Sequence, residues 1–238
     1  MKLSLLLEAN PQKDYEFRKE AQIIYNKISK ELVKNFLHFE KRGDITDTEH
    51  VFLADFEERF PQYDDLEICV GKKGVGAYFS KAGHKYLIYL DVWNKHSNKL
   101  REEHYIKQSF IHEFIHYLDQ KRSKESDIRG TEQYLKSGEP DKYYNDASEF
   151  NAYFQTGAKK IEDFFDKEKR YDKLWHIITN YHRFENFVSK EYAEYFGISD
   201  FIKHANPKYR KKFLQRLYQL WEFLKTKYTR RINNDENK

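Results

Sequence analysis

The stretch FIHEFIHYLDQ, residues 110–120, contains two histidines four positions apart, with a glutamate directly after the first. On an α-helix that turns by about 100° per residue, His112 and His116 lie within about 40° of each other. Two imidazoles on one face are what a tetrahedral zinc ion takes from an HExxH motif. Glu113 is rotated by about 100°, so it can reach a water beside the metal more easily than the metal. The spacing therefore predicts zinc ligands at His112 and His116 and a catalytic base at Glu113.

The same two histidines would also suit the interior of an ordinary helix. Large apolar residues cover the other side of this segment: Ile106, Phe110, Ile111, Phe114, Ile115 and Leu118. A buried histidine pair that binds no metal is therefore the alternative reading of the motif. The choice between the two depends on whether a third ligand follows.

A third ligand is expected in the run YYNDASEFNAYFQT, residues 143–156. Glu149 lies there among apolar and aromatic residues at helical spacing, where an unpaired carboxylate is costly to bury. A metal ion would offset that cost. Asp146 is the competing ligand, but its place beside Asn145 at the start of the run suits a helix cap. We therefore predict one zinc ion, held by the two histidines and Glu149.

These motifs resemble those of a known group of enzymes. HEFIH followed by a glutamate on a second helix is similar to the gluzincin zinc metallopeptidases. EFNAYF, with Glu149, Asn151 and Tyr153, resembles the glutamate motif of ImmA/IrrE-like metallopeptidases. The longer pattern, over residues 85–157, resembles short metallopeptidase-like proteins encoded by tailed bacteriophages. The resemblance implies a zincin-like fold and a protein or peptide substrate.

The resemblance also implies a mechanism. Zinc would activate a water, and Glu113 would take its proton as the water attacks a peptide carbonyl. Thermolysin-like gluzincins carry an aspartate four residues after the ligand glutamate, and Tyr153 stands at that position here. The residues that support the ligands must therefore differ, and Asp119 and Asn145 are the candidates.

A further donor is needed to stabilise the oxyanion, and such donors are usually Tyr or His side chains. The sequence offers several candidates: Tyr143, Tyr144, Tyr153, His176, Tyr181 and His182. Of these we retain Tyr153 and His182, together with Asp119, as residues that could serve as the donor or support the ligands.

Composition limits the fold and the compartment. The chain has 238 residues with 19 Phe and 19 Tyr but only 9 Gly and 4 Pro, which argues against disorder and against a loop-rich sandwich. The single cysteine, Cys69, excludes an internal disulfide and a cysteine-based zinc cage. The apolar start, MKLSLLL, is too short for a signal peptide, and no stretch is long enough to span a membrane. We expect a cytoplasmic protein without a membrane partner, in a host cytoplasm or a virion if a phage encodes it.

Periodicity predicts the elements. Apolar residues at helical spacing indicate a long helix over residues 13–42 and a shorter one over 47–60. Everything after Asn94 reads as helical, with polar interruptions near residues 121–142 and around Pro207. Three short runs rich in β-branched and aromatic residues indicate strands: 66–70, 74–80 and 85–92. This order predicts an α+β fold, mostly helical, with a small three-stranded antiparallel or mixed sheet before the active-site helix.

We expect a single domain over residues 1–238 with three parts: N-terminal helices at 13–60, the sheet and metal-site helices at 65–160, and C-terminal helices at 168–232. Net charge is only +4, but the segment from Lys203 to Arg231 contains ten Lys and Arg residues and a single acidic residue. A basic end can indicate a nucleic-acid partner. No nucleic-acid-binding motif accompanies it, and an apolar stripe from Phe213 to Leu224 favours a helix with a solvated basic face.

Three function classes follow. The first is a zinc-dependent peptidase. The second is a zincin-fold binding or regulatory protein that docks nucleic acid or an assembly partner through its basic C-terminal helix. The third is a metal-dependent hydrolase of a non-peptide amide. Because Glu113 is present, and a protein that has lost catalysis would often lack it, the sequence favours an enzyme.

Overall fold

A computed structural model describes residues 11–42, 50–72, 76–94, 97, 99–122, 146–167 and 171–235. The chain divides into two compact units. The sheet unit comprises Lys19–Ser137, and the helical unit comprises Met1–Arg18 with Gly138–Lys238. Strands and helices together make the α+β fold that the sequence predicts. A single domain with the inner boundaries given above stays a prediction.

Helix α1, Pro11–Arg42, matches the first predicted helix. The apolar positions that predict it are all buried: Ala21, Ile24, Ile28, Leu32 and Phe36. In the sheet unit, the ring of Tyr25 on α1 packs against that of Phe110 on helix α3, Glu103–Arg122, with the ring centroids 5.7 Å apart. The helix that carries the HExxH motif is thus held by apolar contacts on the side away from its histidines.

The sheet unit contains a mixed four-stranded sheet in the order β1–β2–β4–β3. Its strands are β1, His50–Phe52; β2, Leu66–Gly71; β3, Ala77–Ala82; and β4, Lys85–Asp91. The central strands β2 and β4 pair in parallel, and β1 and β3 pair antiparallel with them at the two edges. The strands predicted for 66–70 and 85–92 and the mixed sheet are confirmed, and residues 77–80 of the strand predicted for 74–80 belong to β3, while 74 and 75 lie outside the described residues. The sheet has four strands and not the predicted three, because β1 is an additional strand that the sequence did not reveal.

The helix predicted for residues 47–60 is wrong. Residues 50–52 form β1, only Phe56–Arg59 are helical (α2), and Pro61–Tyr63 form a 3₁₀ turn, while residues 47–49 lie outside the described residues. Pairing with β2 overrides the local periodicity, since a strand is stabilised by the neighbour beside it. Asp55, in the left-handed region at φ 61°, then turns the chain into α2.

The chain after Asn94 is not wholly helical, which corrects a second expectation. Strands β5, Trp93–Asn94, and β6, Lys99–Leu100, form a two-residue antiparallel ribbon just before α3. Such short strands lack the length that makes alternation visible in a sequence. The ribbon leads the chain from the end of β4 into α3.

The helical unit contains five α-helices among its described residues 146–167 and 171–235. They are α4, Ala147–Lys167; α5, Tyr171–Ile178; α6, Tyr181–Asn186; α7, Ser199–His204; and α8, Pro207–Asp235, with a π-helical turn, Phe187–Glu191, after α6. The predicted stripe of α8 is buried at Phe213, Leu217, Leu220 and Leu224. It joins an aromatic core that includes Phe150 and Phe154 of α4.

Buried polar contacts hold α4 within the helical unit. The guanidinium of Arg18, which is 2% exposed, pairs with Glu162 of α4 and donates to the side-chain oxygen of Gln155. A charge at this depth is tolerated only when paired and hydrogen-bonded, so these contacts fix the helix. None of the helices described here combines the length and hydrophobicity that a membrane span needs.

Candidate metal centre

His112 and His116 lie one turn apart on α3. Their Nε2 atoms are 3.2 Å apart, and their rings are inclined at 78°. Two ligands of a tetrahedral zinc ion with bonds of 2.0–2.1 Å are separated by about 3.3 Å. The two nitrogens therefore have the spacing that such an ion requires from a single helical turn.

The packing of α3 against the sheet determines where these imidazoles lie. The ring of Phe79, on the edge strand β3, lies nearly parallel to that of His116, with centroids 6.4 Å apart. Tyr117 is fully buried, and its hydroxyl donates to Asp65 Oδ1 at 2.6 Å, just before β2 begins. Burial and this hydrogen bond raise the pKa of Tyr117 above its ordinary value, so the hydroxyl remains a neutral donor. The contact resists rotation and sliding of α3.

Glu149 lies in the first turn of α4 and is only 1% exposed. Its backbone N–H donates to Asp146 Oδ1 at 3.3 Å, and the N–H of Phe150 donates to the Asp146 carbonyl oxygen at 3.0 Å. Asp146 is therefore the helix cap that the sequence predicts. The cap uses an Asp146 carboxylate oxygen on the backbone, whereas the Glu149 side chain is not needed for the cap.

His112, His116 and Glu149 form a group that could hold a metal ion. One ligand atom from each lies within 4.8 Å of the others, and two of the three residues are buried. Two imidazoles and a carboxylate are a common donor set for zinc with an open coordination position. A carboxylate buried this deeply needs compensating charge or hydrogen bonds, and a cation supplies the charge.

Glu113 follows His112 on α3 and is 6% exposed. Among the described residues, the group of metal ligands does not include it. Its role as the catalytic base stays a prediction.

The other candidates from the sequence have varied surroundings. Asp119 lies on α3 one turn beyond His116, and Tyr153 lies on α4 one turn beyond Glu149; both are partly exposed. Each is therefore on the same helix as a candidate ligand and on a neighbouring turn, as a supporting residue would be. Their roles stay predictions.

Three further candidates lie on α5 and α6. His182 has a side chain that is 91% exposed and lies 4.0 Å from Glu185. The hydroxyl of Tyr181 donates to the Leu214 carbonyl oxygen, and His176 Nδ1 lies 2.9 Å from a guanidinium nitrogen of Arg183. Tyr143, Tyr144 and Asn145 lie outside the described residues.

Sequence reasoning missed the residues that brace α4 near Glu149. Arg216 of α8 donates to Asn151 Oδ1 at 2.6 Å and to Asp14 Oδ2 at 2.8 Å, and its guanidinium lies 4.4 Å from the ring centre of Phe154. Arg216 belongs to the basic run near the carboxyl end, where the sequence alone does not separate it from solvated lysines. No local signal links Asn151 to a residue 65 positions away.

Comparison with models of protein families, with curated proteins and with solved structures finds no match to this chain. The resemblance to gluzincins therefore rests on the motif residues. The functional argument rests on the geometry of the ligand group.

Proposed function

We propose that this protein is a zinc-dependent peptidase. The observation that supports this proposal most directly is the group formed by His112, His116 and Glu149, with a glutamate directly after the first histidine. Structural zinc sites usually have four protein ligands, whereas catalytic sites have three and leave one position open. The described residues supply three, which supports a catalytic centre.

In the proposed mechanism, the metal ion and Glu113 have different roles. When bound, zinc would supply a Lewis acid that lowers the pKa of a water and polarises the scissile carbonyl. Glu113 would accept a proton from the attacking water as the carbon–oxygen bond forms. It would then return that proton to the leaving amine nitrogen as the carbon–nitrogen bond breaks. Both proton transfers balance without any other reactant.

A peptide is favoured over a small amide by the edge strand β3. Within the described part of the sheet, β3 pairs only with β4, so the backbone groups along its other edge can pair with an extended chain. Phe79, on the same strand, lies beside the ring of His116. A peptide bound as an added strand would thus run close to the histidine pair.

Cleavage of a peptide library by the purified full chain tests this proposal. We expect the protein to cleave peptides, chelation to stop cleavage and added zinc to restore it. The variant His112→Ala should lose both the cleavage activity and the bound zinc. A matched control is His104→Ala, which removes an exposed histidine from the start of the same helix. Absence of cleavage in a zinc-loaded protein, or cleavage that survives chelation, would contradict the proposal.

The alternative, docking through the basic α8, gains no support from the contacts of that helix. Several of its cations are already engaged inside the helical unit. Arg216 pairs with Asp14, Lys227 pairs with Asp166, and Lys225 lies 4.7 Å from the ring centre of Trp221. Nucleic-acid binding stays a prediction of the sequence.

A further inference from the structure

A cavity of about 700 Å³ lies in the sheet unit beside α1, β6 and the start of α3. Apolar side chains form much of its wall: Val33 and Leu37 from α1, Leu100 from β6 and Ile106 from α3. Its size falls within the range of small-molecule sites, about 300–1,000 Å³. None of the three metal-ligand residues lines it. It is therefore a separate site with its own chemistry.

Arg101 brings a fixed cation to this cavity. Its Nη2 atom lies 3.6 Å from Asp91 Oδ2, whose side chain is fully buried. At that distance the contact is an ion pair and not a hydrogen bond, so the guanidinium keeps donors to spare. Its Nε is buried and has no hydrogen-bond partner among the described residues. The side chain as a whole is nevertheless 30% exposed, so its Nη atoms are the donors that a ligand in the cavity can reach.

Two lysines extend the positive charge to the rim. Lys30 and Lys34 lie one turn apart on α1, line the cavity and are exposed. Neither has an ion-pair partner within the part of the chain that the structure describes. The two lysines and Arg101 give three positive charges at the cavity. Two acids lie nearby, Glu103 on the rim and Asp91 behind Arg101, so one positive charge is in excess. The cavity thus combines an apolar wall with a single excess positive charge.

We propose that this cavity binds an amphipathic carboxylate, an aliphatic chain that ends in one carboxylate group. The chain would lie against Val33, Leu37, Leu100 and Ile106. The carboxylate would accept hydrogen bonds from Arg101, whose planar guanidinium matches a carboxylate in two-point contact. A single negative charge balances the excess at the rim. This site is independent of the proposed peptidase activity.

Calorimetric titration of the full chain with three probes tests the chemistry. Decanoate carries both features, 1-decanol carries the chain without the charge, and acetate carries the charge without the chain. We expect one decanoate per chain, bound at least tenfold more tightly than decanol, and no measurable heat with acetate. Equal affinity for decanol, or no saturable binding of decanoate, would overturn the proposal.

Variants locate the bound probe. Lys30→Glu/Lys34→Glu changes only exposed positions, so the fold should persist while decanoate affinity falls at least tenfold. Lys19→Glu/Lys190→Glu is matched in charge at exposed residues outside the cavity and should leave the affinity unchanged. Arg101→Gln should also weaken binding, and the lysine pair keeps the test valid if that variant is unstable. Unchanged affinity in the rim variant, or equal loss in the control, would contradict the assignment.

Discussion

At the scale of single residues, the candidate site depends on a few side chains with different duties. His112 and His116 present nitrogens 3.2 Å apart, Glu149 is buried at the start of α4, and Asp146 caps that helix. The two carboxylates at the start of α4 thus differ, because Asp146 accepts a hydrogen bond from the backbone and Glu149 belongs to the candidate ligand group.

The two acids at the start of α4 should respond differently to neutralisation. Glu149→Gln should lower zinc affinity by tenfold or more, since it removes a charged ligand. Asp146→Asn should leave zinc affinity nearly unchanged, because asparagine also caps helices well. Competition with a chromophoric chelator would measure both. The reverse order would transfer the ligand role to Asp146.

At the scale of elements, the local sequence pattern predicted α1 and the strands 66–70 and 85–92 well, because α1 has apolar residues at helical spacing and the strands are runs rich in β-branched and aromatic residues. It failed for His50–Phe52, where three residues become a strand only through pairing with β2. The histidine pair of the candidate site on α3 could be predicted from a spacing of four residues. The brace from Arg216 to Asn151 could not, because no local pattern marks a contact between helices distant in sequence.

The buried ion pair of the helical unit should matter far more than an exposed one. Arg18→Met leaves the Glu162 carboxylate uncompensated in the core, and we expect the free energy of unfolding to fall by about 3–5 kcal/mol. Lys159→Met removes the more exposed i,i+4 partner of Asp163 and should cost only about 0.3–0.5 kcal/mol. Urea denaturation measures both. Similar losses in the two variants would show that the buried pair does not fix α4.

Three tyrosines of the sheet unit should make it sensitive to alkali. Burial raises the pKa of Tyr25, Tyr63 and Tyr117 above the ordinary value of about 10. Their stabilising effect is complete below pH 10, and it declines as the pH rises above 10, because only the unfolded chain ionises there. The urea concentration at the unfolding midpoint should therefore be lower at pH 11 than at pH 8. Tyr117→Phe should show a smaller fall, and an equal fall would exclude Tyr117 as a source.

At the scale of the whole molecule, metal binding and folding should be linked. An ion that binds the native chain and not the unfolded one stabilises the fold by about 2.7 kcal/mol when its concentration is 100 times Kd. We therefore expect chelation to lower the melting temperature and zinc to restore it. Glu113→Gln should behave like the unaltered protein in this assay, whereas His116→Ala should show no response to zinc. A response in His116→Ala would place the ion elsewhere.

The central claim is that the metal group and Glu113 act together in peptide hydrolysis. The most direct measurement is kcat/KM of Glu113→Gln on a peptide that the unaltered protein cleaves, with bound zinc determined in both samples. Loss of a general base costs roughly 10²–10⁴ in rate. We predict about one zinc per chain in both proteins and a fall in kcat/KM of that size in the variant. Equal kcat/KM at equal zinc content would contradict the role of Glu113, and so would a variant that has lost its zinc.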